Sequence, residues 1–319
     1  MTIISKDVAQ AVHLLNQEEL VAIPTETVYG LAGNIFSDKA IRAIFEMKQR
    51  PHFNPLIVHI HSLDQLAELA VAIPEKAYQL ATAFWPGPLT LILKKQSHIP
   101  DLVTGGKDSV AIRMPNHPTT LALLKQLDFP LAAPSANPFG AISPTTAQHV
   151  EHYFETDLKM VLDGGECQNG IESTIIGFIE DLPVLYRLGA IALSAVEEVI
   201  GTILIKNKTE EAPEAPGMLL KHYAPKTPSY FTDDVHSFIQ DHKGKWIGLL
   251  LFQDKPGTEH IRHKEILSAA GDFNEAAHNL YAAMHRLDEL DLDMIVAERF
   301  PDIGLGKSIN DRLERATKL

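Results

Sequence analysis

One short string, KQRPHFNPLIVH, carries Lys48, Arg50, Asn54 and His59. Two cations two residues apart, followed at once by Pro51, belong to the end of a helix that the proline stops. Fixed there, an ammonium point charge and a guanidinium fork suit a polyanion such as phosphate. The same pair could equally be a solvated helix end that complements the helix dipole. Arg113 in VAIRMP and Arg187 in VLYRLG each close an otherwise apolar run. An arginine carried inward on a strand needs an anion, either a carboxylate partner or a ligand. Two loops add polar groups: the hydroxyl-rich residues 24–30 (PTETVYG), with Thr27, and the small and polar residues 134–138 (PSANP), with Ser135. The first ends on a glycine, as a loop edge that approaches a ligand does. The second could be no more than a turn, since Pro, Ser and Asn are ordinary turn formers.

The familiar fingerprints of other chemistries fail. The string Gly105-Gly106-Lys107-Asp108-Ser109 places Asp where a phosphate-binding loop needs Ser or Thr after the lysine. The C-terminal part has no GxGxxG after a strand. Ser135 lacks a GxSxG setting, and no His and Asp are spaced to serve it. His59 and His61 alternate on one face, but without a Cys or acidic cluster nearby they read as hydrogen-bonding residues rather than metal ligands. His149 and His152 read as surface residues of a helix.

The periodicities supply the elements that must position these groups. Residues 7–17 form an amphipathic helix with Val8, Val12 and Leu15 on one side. Strand 20–23 delivers the first hydroxyl loop. A helix then starts with Asp38 as its cap, buries Ile41, Ile44 and Phe45, and ends at 48–51. Strand 56–61 follows, then helices 64–72 and 74–83, and a Pro-Gly-Pro turn into strand 89–93. Strand 110–115 carries Arg113 near its end, helix 117–127 follows, and strand 130–138 feeds a loop running to residue 145. Helix 146–154, strand 160–165, and strands 172–178 and 184–187 complete a mixed α/β sheet. Residues 206–227 are charged, proline-rich and aperiodic, as a linker is. Beyond it, strand 246–252, helix 272–290 with an Asp272/Glu275 capping box, strand 294–297 and helix 308–317 capped by Ser308 suggest a small Rossmann-like domain.

The chain has 319 residues, 45% hydrophobic and 22% charged, with a net charge of −13. Residues 1–205 hold 13 Lys/Arg against 22 Asp/Glu, and residues 206–319 hold 15 against 19. A protein that grips a nucleic-acid backbone is usually basic on one face, so stable nucleic-acid binding is not expected. The single cysteine, Cys167, excludes a disulfide framework and a cysteine-based zinc site. With no apolar run of transmembrane length and no signal-like start, a cytoplasmic protein without membrane contact is expected.

Taken in order, PTETVYGL, KxRPxxNPLIVH, WPGPLTLIL, VAIRMP, APSANxxGxxSPT and GIESTI resemble the YrdC-like family. LKHYAP and the terminal GLGKSINDRL resemble its long, two-domain form, the threonylcarbamoyl-AMP synthases. The resemblance covers nearly the whole chain. It implies a YrdC-like twisted mixed sheet with flanking helices over 1–205, a linker or lid over 206–227 and the small Rossmann-like domain over 228–319. It also implies a nucleotidyltransferase that condenses L-threonine, bicarbonate and ATP into threonylcarbamoyl-adenylate and pyrophosphate. A separate tRNA threonylcarbamoyl transferase complex would then use the product on the adenosine beside the anticodon.

Carried over residue by residue, the resemblance puts Arg50, Asn54, Ser109, Ser135, Ser143, Arg187 and Tyr223 at nucleotide-binding positions, with Lys48 facing phosphate. It puts Thr27, His59, Arg113, Ala133 and Ser173 at threonine-binding positions. Mg2+ would arrive with the triphosphate and need few protein ligands. No covalent intermediate is required. Catalysis would be juxtaposition and charge neutralisation, with Lys48 and Arg50 as the candidates. The rivals are a carbamoyltransferase of the same superfamily, whose zinc-finger and kinase-like modules this chain lacks, and an RNA-binding module, which the acidic balance opposes.

Overall fold

The computed structural model describes residues 2–206 and 222–318. The chain runs β1 (Ile3–Ser5), α1 (Val8–Asn16), β2 (Val21–Ile23), β3 (Gly30–Asn34), α2 (Asp38–Lys48), β4 (Ile57–His59), α3 (Gln65–Leu69) and α4 (Glu75–Phe84). It continues through β5 (Leu89–Lys94), α5 (Asp101–Thr104), β6 (Ser109–Arg113), α6 (Pro118–Leu124), β7 (Leu131–Ala132), α7 (Ala147–Phe154) and β8 (Met160–Leu162). Then come β9 (Thr174–Ile179), β10 (Leu182–Arg187), α8 (Leu193–Ile200) and β11 (Leu204–Ile205). Past residue 222 lie β12 (Ser229–Thr232), α9 (Val235–Asp241), β13 (Ile247–Leu251), β14 (His263–Ile266), α10 (Phe273–Asp288), β15 (Met294–Glu298) and α11 (Gly306–Ala316).

Among the described residues, β1 to β11 make one mixed eleven-stranded sheet in the order β1-β8-β2-β3-β7-β4-β6-β5-β9-β10-β11. The other four strands make a second sheet, β12-β15-β13-β14, in which every pair is parallel. The register at the centre of the large sheet decides the site. β4 and β6 are parallel with His59 opposite Arg113, and β7 brings Leu131 opposite His59 from the other side. Side chains alternate along β6, so Ser109, Ala111 and Arg113 share one face. Val110 and Ile112 point the other way, into the main apolar core.

Several elements differ from the sequence expectation, each for a local reason. Ser37, not Asp38, caps α2: it has the extended cap conformation and its side chain accepts from Ala40 N, while Asp38 is already helical. α11 starts before Ser308, which lies inside it and donates to Gly189 O at 2.8 Å instead of capping. The strand expected over 130–138 contracts to β7, because Pro134 and Pro138 have no N–H to give a ladder. β3, sequence GLAGN, has little strand propensity and forms because β2 and β7 pair with it from both sides. β1, α8, α9 and β14 are further elements that the periodicity did not reveal. Most of the expected linker, residues 207–221, lies outside the described residues.

The two sheets share a core. Val28, Ile142 and Ile171 from the first part pack with Leu280 of α10, Ile309 of α11 and Tyr223 in one buried cluster. The end of the linker is tied to both sides: Ala224 N donates to Gly140 O, and His222 N to Arg315 O. No helix among the described residues is long and apolar enough to cross a membrane.

Candidate active site

The strand ends of the large sheet and the end of the linker frame a narrow cavity of about 50 Å3. Thr27, Arg50, His59, Arg113, Ala133, Ser135, Ser173, Arg187 and Tyr223 all line it, joined by Glu172 and His222. Three guanidiniums thus converge on one enclosed space. Arg50 follows the left-handed Gln49 that ends α2, and its Nε and Nη2 donate to Asn54 O and Pro55 O. Arg187 ends β10 and donates from Nε to Ser173 O and from Nη2 to Ser173 Oγ, both at 3.0 Å. Arg113 ends β6 and donates from Nη2 to Glu26 at 2.6 Å, with both side chains buried. The sequence left a carboxylate partner or a ligand open for Arg113, and the carboxylate partner exists.

The electrostatics are those of a crowded cationic pocket. Burial, then repulsion from Arg187, lowers the Arg50 guanidinium to about 9. Burial, then Arg113, lowers His59 to about 3, so its imidazole is neutral near pH 7. His59 Nδ1 lies 3.2 Å from Ile57 O; donating there leaves Nε2 as an acceptor. Burial and then Arg50, Lys48, Arg187 and Arg315 push His222 well below its ordinary value. Two buried polar atoms of lining residues have no partner among the described residues, Arg113 Nε and His222 Nδ1, and neither does the amide of Asn54 beside Arg50. Such atoms are costly unless a polar ligand completes them.

Four of the expected residues stand outside the lining. Lys48 is buried, and its Nζ donates to Ser135 O and Asn137 O, so it braces the Ser135 loop. Burial, then Arg50, pushes its pKa well down. Asn54 sits behind Arg50. Ser143 is buried and donates to Glu172 Oε1 at 2.7 Å. Ser109 opens β6 at its far end and lines a second, open groove with Lys94, Lys107 and Tyr186. That groove is larger, about 760 Å3, but no convergence of buried charges marks it. It shares the sheet face of the cavity, separated from it by the apolar cluster of Ile57, Ile92, Ala111, Ile175, Val184 and Tyr186.

The sequence reading did not single out Glu26, Glu172, His222, Tyr281 or Arg312. Four of the five lie inside the family motifs: Glu26 in PTETVYGL, Glu172 in GIESTI, His222 in LKHYAP and Arg312 in GLGKSINDRL. Tyr281 had no such signal beyond its place in the α10 pattern. Tyr223 is buried with φ 67°, a left-handed backbone that a non-glycine residue adopts at a cost.

Among the described residues no group of three or more His, Cys, Asp or Glu could hold a metal. The two nearby carboxylates are engaged: Glu26 by Arg113 and Asn116 N, Glu172 by Ser143, Tyr281 and Arg312.

Two family models match the chain. Sua5_yciO_yrdC, described as telomere recombination, covers residues 13–189, and the threonylcarbamoyl-AMP synthase C-terminal domain covers residues 191–317. The chain is 41% identical to a Bacillus subtilis threonylcarbamoyl-AMP synthase over 97% of its own length and 92% of that relative. It is 40% identical to the Pyrococcus abyssi threonylcarbamoyl-AMP synthase over 96% of its length and 93% of that relative. Its fold superposes on the crystal structure of P. abyssi Sua5 complexed with L-threonine with a TM-score of 0.91 at 39% identity, covering 99% and 97% of the two chains.

Proposed function

The chain belongs to the Sua5–YciO–YrdC family in its two-domain form, and on that premise we propose that the cavity joins L-threonine, bicarbonate and ATP into threonylcarbamoyl-AMP. The enzyme is a nucleotidyltransferase. The threonine amine adds to the carbon of bicarbonate and water leaves, giving a carbamate. A carbamate oxygen then attacks the α-phosphorus, and the bond to the β-phosphate oxygen breaks to release pyrophosphate. Neither step needs a covalent bond to the protein.

The observation that carries this reading is the joint presence of three buried guanidiniums and the partnerless Arg113 Nε and His222 Nδ1 around one cavity. Arg113, tied to Glu26 through Nη2, offers Nε to the amino-acid carboxylate. His59 Nε2, Thr27, Ser173 and the backbone at Ala133 read its amine and hydroxyl. Arg50, Arg187 and Ser135 meet the nucleotide, Asn54 supports Arg50 from behind through its backbone oxygen, and the mutual repulsion of Arg50 and Arg187 falls when a triphosphate enters. Lys48 supports the Ser135 loop, Ser143 acts through Glu172, and Ser109 extends the nucleotide face along β6. Mg2+ belongs to the substrate, bound to the phosphates. Tyr223 and His222 close the cavity from the linker and keep water from a labile adenylate.

We assign residues 1–205 to catalysis, 206–227 to the lid and 228–319 to the small domain. The protein works in the cytoplasm and hands its product to a tRNA threonylcarbamoyl transferase complex, without a stable nucleic-acid complex of its own. Pyrophosphate release from MgATP tests the reading. Release that requires both threonine and bicarbonate supports it; release indifferent to threonine overturns the assignment of the amino-acid half.

A further inference from the structure

Glu172 is the one carboxylate among the described residues that line the cavity, and its presence needs explaining. A negative charge there repels an anionic ligand and attracts a cation of the site, Arg187, which ends β10 and donates to the neighbouring Ser173. Three donors hold it. Ser143 Oγ reaches Oε1 at 2.7 Å, while Tyr281 Oη and Arg312 Nε reach Oε2 at 3.0 and 3.1 Å. Ser143 belongs to the first part of the chain; Tyr281 on α10 and Arg312 on α11 belong to the second. Arg312 is itself fixed: it is 1% exposed, donates from Nη1 to Asp311, and lies over the Tyr223 ring with Cζ 5.4 Å from its centroid. Burial pushes the Glu172 carboxyl up, and Arg312, Arg187 and Ser143 together more than reverse this, leaving it below its ordinary value. Glu172 is therefore ionised, and its charge must be balanced by one guanidinium or the other.

We propose that Arg312 is a positioning residue for the nucleotide. By neutralising Glu172, it keeps the Arg187 guanidinium on Ser173 and turned to the phosphates, which makes the small domain part of the nucleotide site. Without Arg312, Arg187 is the remaining cation for Glu172 and is drawn from the ligand. The inference rests on the proposed reading that Arg187 meets ATP.

Steady-state kinetics of the full-length protein test it, with thermal melting to score folding. Arg312→Gln is expected to raise the KM for ATP by about tenfold and the KM for threonine by less than about threefold. Adding Glu172→Gln removes the charge that Arg312 balanced, and is expected to bring the ATP KM back to within about threefold of wild type. Arg312→Lys keeps the charge and is expected to stay close to wild type for ATP. Parallel rises in both KM values, or a double variant no better than the single one, overturn the proposal. If Arg312→Gln does not fold, the double variant decides: a normal ATP KM supports the proposal and a raised one overturns it. Wild-type protein that makes no threonine-dependent product would instead sink the underlying reading.

Discussion

Arg113 shows how much of this site depends on pairing. Its guanidinium is shared between a fixed carboxylate, Glu26, and a buried Nε with no partner among the described residues. On the proposed assignment, removing it strips the threonine carboxylate of its cation, and it leaves Glu26 buried without one. Arg113→Ala is therefore expected to raise the KM for threonine by about thirtyfold or more while the KM for ATP moves by about threefold or less. Arg113→Lys keeps a charge for Glu26 but loses the fork, so it should retain stability and still bind threonine poorly. Equal effects on the two substrates in steady-state assays would contradict the assignment. The sequence marked Arg113 and Arg187 as residues that need anions, because a cation ending an apolar run is visible in one dimension. The carboxylates of the site were not visible: Glu26 lies 87 residues from its partner Arg113, and Glu172 lies 140 from its partner Arg312. A carboxylate's role is set by what folds against it, and spacing does not carry that.

Strand ends and helix faces explain why the residues meet. β9 and β10 must bring Ser173 and Arg187 together, and Gly189 permits it: a Cβ there would stand 2.3 Å from Ser173 C and Thr174 N. Gly189→Ala is expected to displace Ser173, cost about 1–3 kcal/mol and raise the KM of both substrates. An unchanged melting temperature and unchanged kinetics would contradict it. α7 and α10 meet through His149 and His285, stacked with ring centroids 4.0 Å apart. Burial, then His285, Arg286 and His152, lowers His149 to about 3; burial lowers His285 to about 4, against a weak upward pull from Ser143 O. Both rings are neutral in the folded protein and protonate near 6.5 when unfolded. The unfolded state thus binds more protons between these values, so stability is full above about pH 6.5 and falls as pH drops toward 4. Melting temperatures should decline across that window, and His149→Phe should flatten the decline; a flat wild-type profile would contradict this. Helices with a clear apolar stripe, α1, α2, α7 and α10, were legible to within a few residues. β3 and β7 were not read correctly, because tertiary pairing and prolines outweighed local pattern.

On the scale of the molecule, the small domain is welded to the catalytic one. Val28, Ile142 and Ile171 are buried against α10 and α11, and Glu172 takes two of its three side-chain donors from there. Removing residues 210–319 is expected to leave a folded first domain with a lower melting temperature, an exposed apolar face and reduced adenylate yield. Undiminished yield would contradict both the lid and the shared site. The sequence announced two units through the aperiodic linker, yet gave no hint of this weld, because apolar periodicity shows that a face is covered without showing by what. The central claim is that one cavity assembles an adenylate from three substrates. Mass spectrometry of the products formed from L-threonine, MgATP and carbon-13-labelled bicarbonate tests it most directly. Threonylcarbamoyl-AMP carrying one heavy carbon, formed together with pyrophosphate, is the expected product. An adenylate without the label, or nucleotide turnover that ignores threonine, would contradict it.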